Sequence, residues 1–168
     1  MDDDAGGAPA TVRLAFPPEA RLLGTIRLVV GILARKAGMG EEGIEDLKVA
    51  VSETCAVAVG DLNRAGMGEP IEVDLVEAAD RFGIEVRDRA PAASAAPGAA
   101  DAEVDDRELG LALVGALVDD LKTATLDGGG NRTSFWLRRG PLAAGSLGLG
   151  LPDPQGLGGG ADLPPPLT

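Results

Sequence analysis

The sequence predicts an α+β fold: a two-layer sandwich in which helices cover one face of a mixed, mostly antiparallel sheet. Three observations carry that expectation. Short segments alternate apolar and polar residues with the period of a strand. Longer segments repeat apolar residues at i, i+3 and i+4. Their order along the chain is β-α-α-β-β-α-β-β, which joins neighbouring strands in pairs instead of alternating every strand with a helix.

The first strand is Thr11–Phe16, with Val12, Leu14 and Phe16 on one side. Pro17 and Pro18 end it and open a helix, because proline is tolerated in the first helical turn. Leu22, Leu23, Ile26, Val29, Val30, Leu33 and Ala37 form the buried stripe of this helix, which stops near Gly38. The second helix is expected from about Glu41 to Leu62. Ile44, Leu47, Val51, Cys55, Ala58 and Leu62 form its main apolar stripe. Val49, Ala50, Ala56 and Val57 make the opposite side apolar too, with the carboxylate of Glu53 in their midst. A helix apolar on two sides is sandwiched or floors a cavity.

Ile71, Val73 and Leu75, then Phe82, Ile84 and Val86, mark two strands of a hairpin that turns at Ala78–Asp80. The second strand ends at Asp88. Residues 89–106 lack periodicity and are long for a loop, so they read as a lid. A third helix is expected over Arg107–Asp120. Strands over Leu121–Leu126 and Arg132–Arg139 follow, joined by Asp127-Gly128-Gly129-Gly130. The folded domain therefore spans 11–139. Residues 1–10 read as a disordered N-terminus. Residues 140–168 hold 8 Gly and 6 Pro with no Lys or Arg, and read as a disordered tail.

Composition excludes several chemistries. The chain has 168 residues and a net charge of −12, which disfavours direct binding to nucleic acid or an anionic membrane. It has no histidine, which removes histidine-based triads and His-ligated metals; its single cysteine, Cys55, rules out an internal disulfide. No apolar run is long enough to span a bilayer, and the Met-Asp-Asp-Asp start lacks a basic leader segment, so a cytoplasmic protein is expected. Cys55 lies on the main stripe of the second helix and reads as a buried structural thiol.

Three places carry possible chemistry: Glu53 on the doubly apolar helix, Asp88 at a strand end, and Glu108-Leu109-Gly110-Leu111 at the start of the third helix. The runs Asp46-Leu47-Lys48-Val49-Ala50-Val51-Ser52-Glu53-Thr54-Cys55, Ile84-Glu85-Val86-Arg87-Asp88-Arg89-Ala90-Pro91 and Leu109-Gly110-Leu111-Ala112-Leu113-Val114 resemble the three nucleotide-binding boxes of the anti-sigma-factor serine kinases. That family belongs to the histidine kinase-like ATPase superfamily, or Bergerat fold. The resemblance covers residues 11–139.

The resemblance implies a role for each position. Glu53 matches the catalytic glutamate that serves as general base for the attacking hydroxyl. Four residues on, the family's magnesium-holding asparagine is replaced by Val57, which has no oxygen to offer a hard cation, so no metal ligand is assigned. Asp88 matches the aspartate that receives the adenine amino group, and Thr133 matches a threonine that supports it. Ala90 and Ala92 stand where the second box has glycines. In the third box, whose backbone amides meet the phosphates, Gly110 matches one glycine, with Leu111 next to it, and Glu108 replaces the other.

Taken together, the resemblance implies an anti-sigma-factor-like regulator. It would bind a sigma factor, an anti-anti-sigma protein or both, usually as a homodimer, with ATP binding weakened or lost and magnesium use in doubt. Two alternatives stand beside it. One is an active ATP-dependent protein-serine kinase with its metal oxygen drawn from Ser52, Thr54 or the lid. The other is a scaffold protein with no regulatory role.

Overall fold

The computed structural model of the chain describes residues 10–91 and 106–139. Five strands and three α-helices form the two layers: β1 (Ala10–Phe16), α1 (Leu23–Lys36), α2 (Glu41–Arg64), β2 (Ile71–Glu77), β3 (Arg81–Asp88), α3 (Asp106–Leu117), β4 (Asp119–Thr125) and β5 (Asn131–Arg138). A single 3₁₀ turn, Ala20–Leu22, links Pro17-Pro18 to α1. The sheet order is β1-β2-β3-β5-β4. All four described ladders are antiparallel, so the sheet is not mixed. The reason is connectivity: β2–β3 and β4–β5 are hairpins, the α1–α2 pair returns the chain antiparallel to β1, and the passage through α3 brings β5 back antiparallel to β3.

The inner face of the sheet carries the alternating apolar residues. Leu14 pairs with Val73, Val73 with Val86, and Val86 with Thr133. The core joins Ile71, Val73, Leu75, Phe82, Ile84, Val86 and Phe135 to Val30 and Ala34 of α1 and to Ile44, Leu47, Val51, Cys55 and Leu62 of α2. Fully burying side chains of this size contributes about 1.5–3 kcal/mol each. Burial of the Cys55 thiol pushes its pKa up to about 12, so it is an inert core group. Glu41 and Glu42 in the first turn of α2 suit the positive end of that helix.

The outer face is bound by charge. Asp74 accepts two hydrogen bonds from Arg13, at 2.7 and 2.9 Å, and one from Arg87 at 2.8 Å. These bonds, with the Arg13 contact foremost, hold the Asp74 carboxyl below its ordinary range.

The third helix ends earlier than its sequence suggests, at Leu117 instead of Asp120, and β4 begins at Asp119 instead of Leu121. Asp120 has φ 54°, and the β4–β5 register shifts between Asp119 and Lys122. Helical periodicity cannot signal a bulge of this kind. The expectations for residues 1–9, for most of the lid (92–105) and for the tail (140–168) lie outside the described residues; Ala10, expected in the disordered N-terminus, instead opens β1, paired with Glu77. At the lid's described edges, Ala90 is buried and Asp106 already belongs to α3.

Candidate functional site

Toward the β5–β4 side, the inner face of the sheet turns polar. Thr133 pairs with Thr123, and Asn131 with both Asp88 and Thr125. This polar patch is one wall of a cleft; α2 and the start of α3 form the other.

At the strand-end wall, Asp88 is buried (7% exposed). Its Oδ1 accepts a hydrogen bond from the Ala90 amide at 2.8 Å and another from Asn131 Nδ2 at 3.0 Å. Asn131 Nδ2 also donates to the Ala90 carbonyl at 3.2 Å. Burial raises the Asp88 pKa, and these bonds oppose the rise. The loop before Asn131 makes the approach possible. Gly130 has φ +105°, and a Cβ on it would stand 2.3 Å from the Asp88 carbonyl oxygen. Only glycine fits there, on grounds of both conformation and space.

Thr133, expected to support Asp88, instead stands opposite Val86, two positions along β5. The side chain on Asp88 is Asn131, a residue the sequence reading passed over. Its signal was present: an Asn directly after a Gly-Gly-Gly turn, at the start of a strand that returns beside Asp88.

At the helical wall, Glu53, Ala56, Val57, Gly60 and Arg64 of α2 line a cavity of about 290 Å³ together with Arg107 of α3. Glu53 therefore does face a cavity. Gly110 is buried against the same helix: a Cβ placed on it would lie 3.4 Å from Val57 Cγ2 and 3.6 Å from Glu53 Oε2. The α2 side that reads as a second apolar face is thus split. Ala50 is fully buried and Val57 half-buried, while Val49 and Ala56 remain exposed.

The fold brings Glu53, Val57 and Gly110 together. Gly110 lies one turn inside α3, where helical geometry directs its N–H to the carbonyl of residue 106 and away from any ligand. Leu111 follows it in the helix and is half-buried; Glu108, one turn earlier, is exposed.

Arg107 ties the start of α3 to α2. Its Nη1 donates to Oδ2 of the buried Asp61, whose Oδ1 accepts from Arg64 at 2.7 Å. Burial lowers the Arg107 pKa. On its other side Arg107 lines a smaller cavity, about 150 Å³, with Thr123, Thr125, Asn131, Arg132 and Thr133. Arg107 thus lies between the two cavities. A larger cavity of about 570 Å³ opens at the Asp88 end of the sheet and includes Glu72 and Arg87 of the opposite face in its lining.

Among the described residues, no side-chain oxygen stands at the position where the family pattern holds magnesium. The position of the metal-holding asparagine is a valine packed toward Gly110. The alternative oxygens are engaged along their own helix: Ser52 donates to the Lys48 carbonyl at 2.7 Å and Thr54 to the Ala50 carbonyl at 2.8 Å. Among the described residues no group of three or more acidic or cysteine side chains is disposed around a metal position. The site presents one carboxylate, Glu53, to a cavity and buries another, Asp88, at the strand end.

Comparison with known proteins places this geometry. The profile of the histidine kinase-like ATPase domain matches residues 16–136. The serine-protein kinase RsbW of Halalkalibacterium halodurans is 32% identical over 81 residues, covering 48% of this chain and 49% of that protein. The RsbW of Bacillus velezensis is 28% identical over 128 residues, covering 70% of this chain and 79% of that protein. The chain thus spans about half the length of the first of these relatives and most of the second. The structure of the RsbU and RsbW domains of Rv1364c from Mycobacterium tuberculosis superposes with a TM-score of 0.59 at 19% identity, covering 77% of this chain and 32% of that one; that likeness concerns the fold.

Proposed function

From the premise that the chain belongs to the histidine kinase-like ATPase family, we propose that it is an anti-sigma-factor-like regulator that works by protein binding, with nucleotide binding weakened or lost. In this reading its partner is a sigma factor, an anti-anti-sigma protein or both; it acts in the cytoplasm, and it does so as a homodimer. Support for a protein-binding role comes from relatives bearing the RsbW name and from the acidic balance of the chain, which suits a basic partner. In the described residues no helix is long and apolar enough to cross a membrane.

The observation that carries the nucleotide part is the replacement of oxygen by carbon at Val57, on the helix turn that holds Glu53 against Gly110. Phosphoryl transfer depends on charge neutralisation and positioning. Glu108 adds a negative charge near the same end, and Arg107 is engaged with Asp61. Glu53 remains in place as a carboxylate and Asp88 keeps its hydrogen-bonded carboxyl at the strand end.

Calorimetric titration tests this reading. ATP should bind with a Kd above roughly 1 mM, an affinity below about 4 kcal/mol, with or without magnesium. Affinity for the sigma factors of the source genome should be unchanged by ATP. The double substitution Val57→Asn with Glu108→Gly should gain magnesium-dependent ATP affinity. Submillimolar, magnesium-dependent binding by the unaltered protein, lost in Asp88→Ala, would overturn the proposal in favour of an active kinase. Absence of affinity for any sigma factor or anti-anti-sigma protein would point to a scaffold.

A further inference from the structure

Helix α3 has no charged side chain from Leu109 to Val118. One side of it is accounted for: Gly110 and Val114 are buried, and Gly110 lies against Val57 of α2. The other side is not. Leu109 (61% exposed) and Leu113 (42% exposed) stand in one stripe with the exposed Ala112 and Ala116, at i, i+3, i+4 and i+7. Single exposed leucines are ordinary, but an uninterrupted apolar stripe on a surface helix marks an interaction site. Two leucines beside two alanines form ridges next to shallow seats, the relief into which another helix packs.

The charges bordering this stripe are acidic. Glu108 precedes it, Asp119 and Asp120 follow it, and all three are exposed. The adjacent cations are already engaged, Arg107 with Asp61 and Lys122 with Asp120. The other exposed apolar pair of the helical layer, Leu28 and Ile32 on α1, has a basic border, with Arg27 and Lys36 exposed beside it and Arg35 paired with Glu41. We propose that the outward stripe of α3 is a docking face for an amphipathic helix with basic flanks, carried by a partner protein.

The proposal deepens the regulatory reading, on which the partner's role rests, by assigning the surface and the shape of what binds there. Helix-on-helix docking uses anchors at the spacing seen here, and acidic borders select basic flanks. Placing the α1 pair of a second copy on this stripe would join two different surfaces. Such a contact propagates into open chains unless its rotation closes.

The test uses the full chain and a synthetic 18-residue peptide of about five helical turns, leucine on one face and lysine and arginine on the other. A matched peptide carries glutamate in place of the cations. The basic peptide should shift the amide resonances of residues 109, 112, 113 and 116. Leu109→Glu with Leu113→Glu should weaken its binding at least about tenfold, or about 1.4 kcal/mol. That variant is more acidic, so purely electrostatic attraction would make it bind better. Leu28→Glu with Ile32→Glu should leave binding unchanged, and the glutamate peptide should bind at least about tenfold more weakly. Leu109→Ser with Leu113→Ser serves as a milder second variant.

Shifts centred elsewhere, equal binding by the α3 variants, or an oligomer of the unaltered chain that dissociates in them would overturn the proposal. A sigma factor that binds the unaltered chain and the α3 variants equally would overturn this face and leave the regulatory reading standing. Peptide binding at α3 in a chain with no sigma-factor affinity would uphold the face and remove that reading.

Discussion

The two ends of the cleft have diverged in different ways. At the Asp88 end, the polar group of the family pattern is present and well supported: Asp88 is buried, bonded by Asn131 and by the Ala90 amide, and closely approached by Gly130. At the Glu53 end, the backbone arrangement survives while the chemistry has changed. Val57 packs toward Gly110, and an arginine bridge to Asp61 ties α3 to α2. The contrast teaches that a buried polar cluster and a helix–helix contact are held by different forces: hydrogen bonds around one carboxylate at the strand end, apolar packing and an ion pair between α2 and α3.

Four substitutions sharpen that contrast, and the largest effect is expected at the Asp88 end. Gly130→Ala should destabilise the fold by about 3 kcal/mol, since it combines an unfavourable φ with overlap on a backbone carbonyl. Urea denaturation would measure this, and a loss below about 1 kcal/mol would show that the turn can relax.

Next is Asp61→Ala, at the other end. It removes the buried acceptor of two arginines and should cost about 2–3 kcal/mol, less than a fully buried pair because Arg64 is largely exposed. Measured in a background of Arg107→Ala, the same substitution should cost distinctly less. Strict additivity would mean that the bridge does not hold α3.

Asn131→Ala should cost about 1–2 kcal/mol at neutral pH. The sign of its pH dependence follows from Asp88. Burial raises this carboxyl in the folded state, so the folded protein takes up a proton more readily than the unfolded chain. Stability from this group therefore falls as pH rises through the window between the ordinary aspartate value and the raised one. Removing the Asn131 bond, which favours the charged form, should raise the Asp88 pKa further and widen that window. The cost of Asn131→Ala should shrink in mildly acidic buffer; a cost independent of pH would show that the bond does not bear on Asp88 ionisation. Asp74 runs the other way: its lowered pKa gives stability that is present above the ordinary aspartate value and is lost as pH falls through the lowered one.

The smallest effect belongs to Gly110→Ala. The added carbon would meet Val57 at an ordinary 3.4 Å, so the helix-propensity gain should dominate and stabilise by about 0.5–1 kcal/mol in thermal unfolding. A clear loss of stability would mean that α3 needs a closer approach to α2 than the structure has.

Much of the fold was legible because its elements obey single periods. Apolar residues take every second position from Ile71 to Leu75 and from Phe82 to Val86, and the main stripe of α2 is buried from Ile44 to Leu62. The end of α3 was not legible, because Val118 and Leu121 continue an apolar rhythm across a bulge that only strand pairing reveals. The positions of Glu53, Val57 and Gly110 were readable one by one, as was the missing oxygen at Val57. The supporting role of Asn131 was not, since two polar residues on the same face of β5 differ only in register, and register is fixed between strands.

The sequence by itself determined the element order, the two apolar sides of α2 and the acidic balance, because periodicity and charge are local properties. Only the tertiary structure decided that Asn131 and not Thr133 bonds Asp88, that Arg107 of α3 reaches Asp61 of α2, and that the second apolar side of α2 is half covered. Each of these depends on which residues the antiparallel ladders and the α2–α3 contact bring opposite one another, and no pattern along a single segment encodes that.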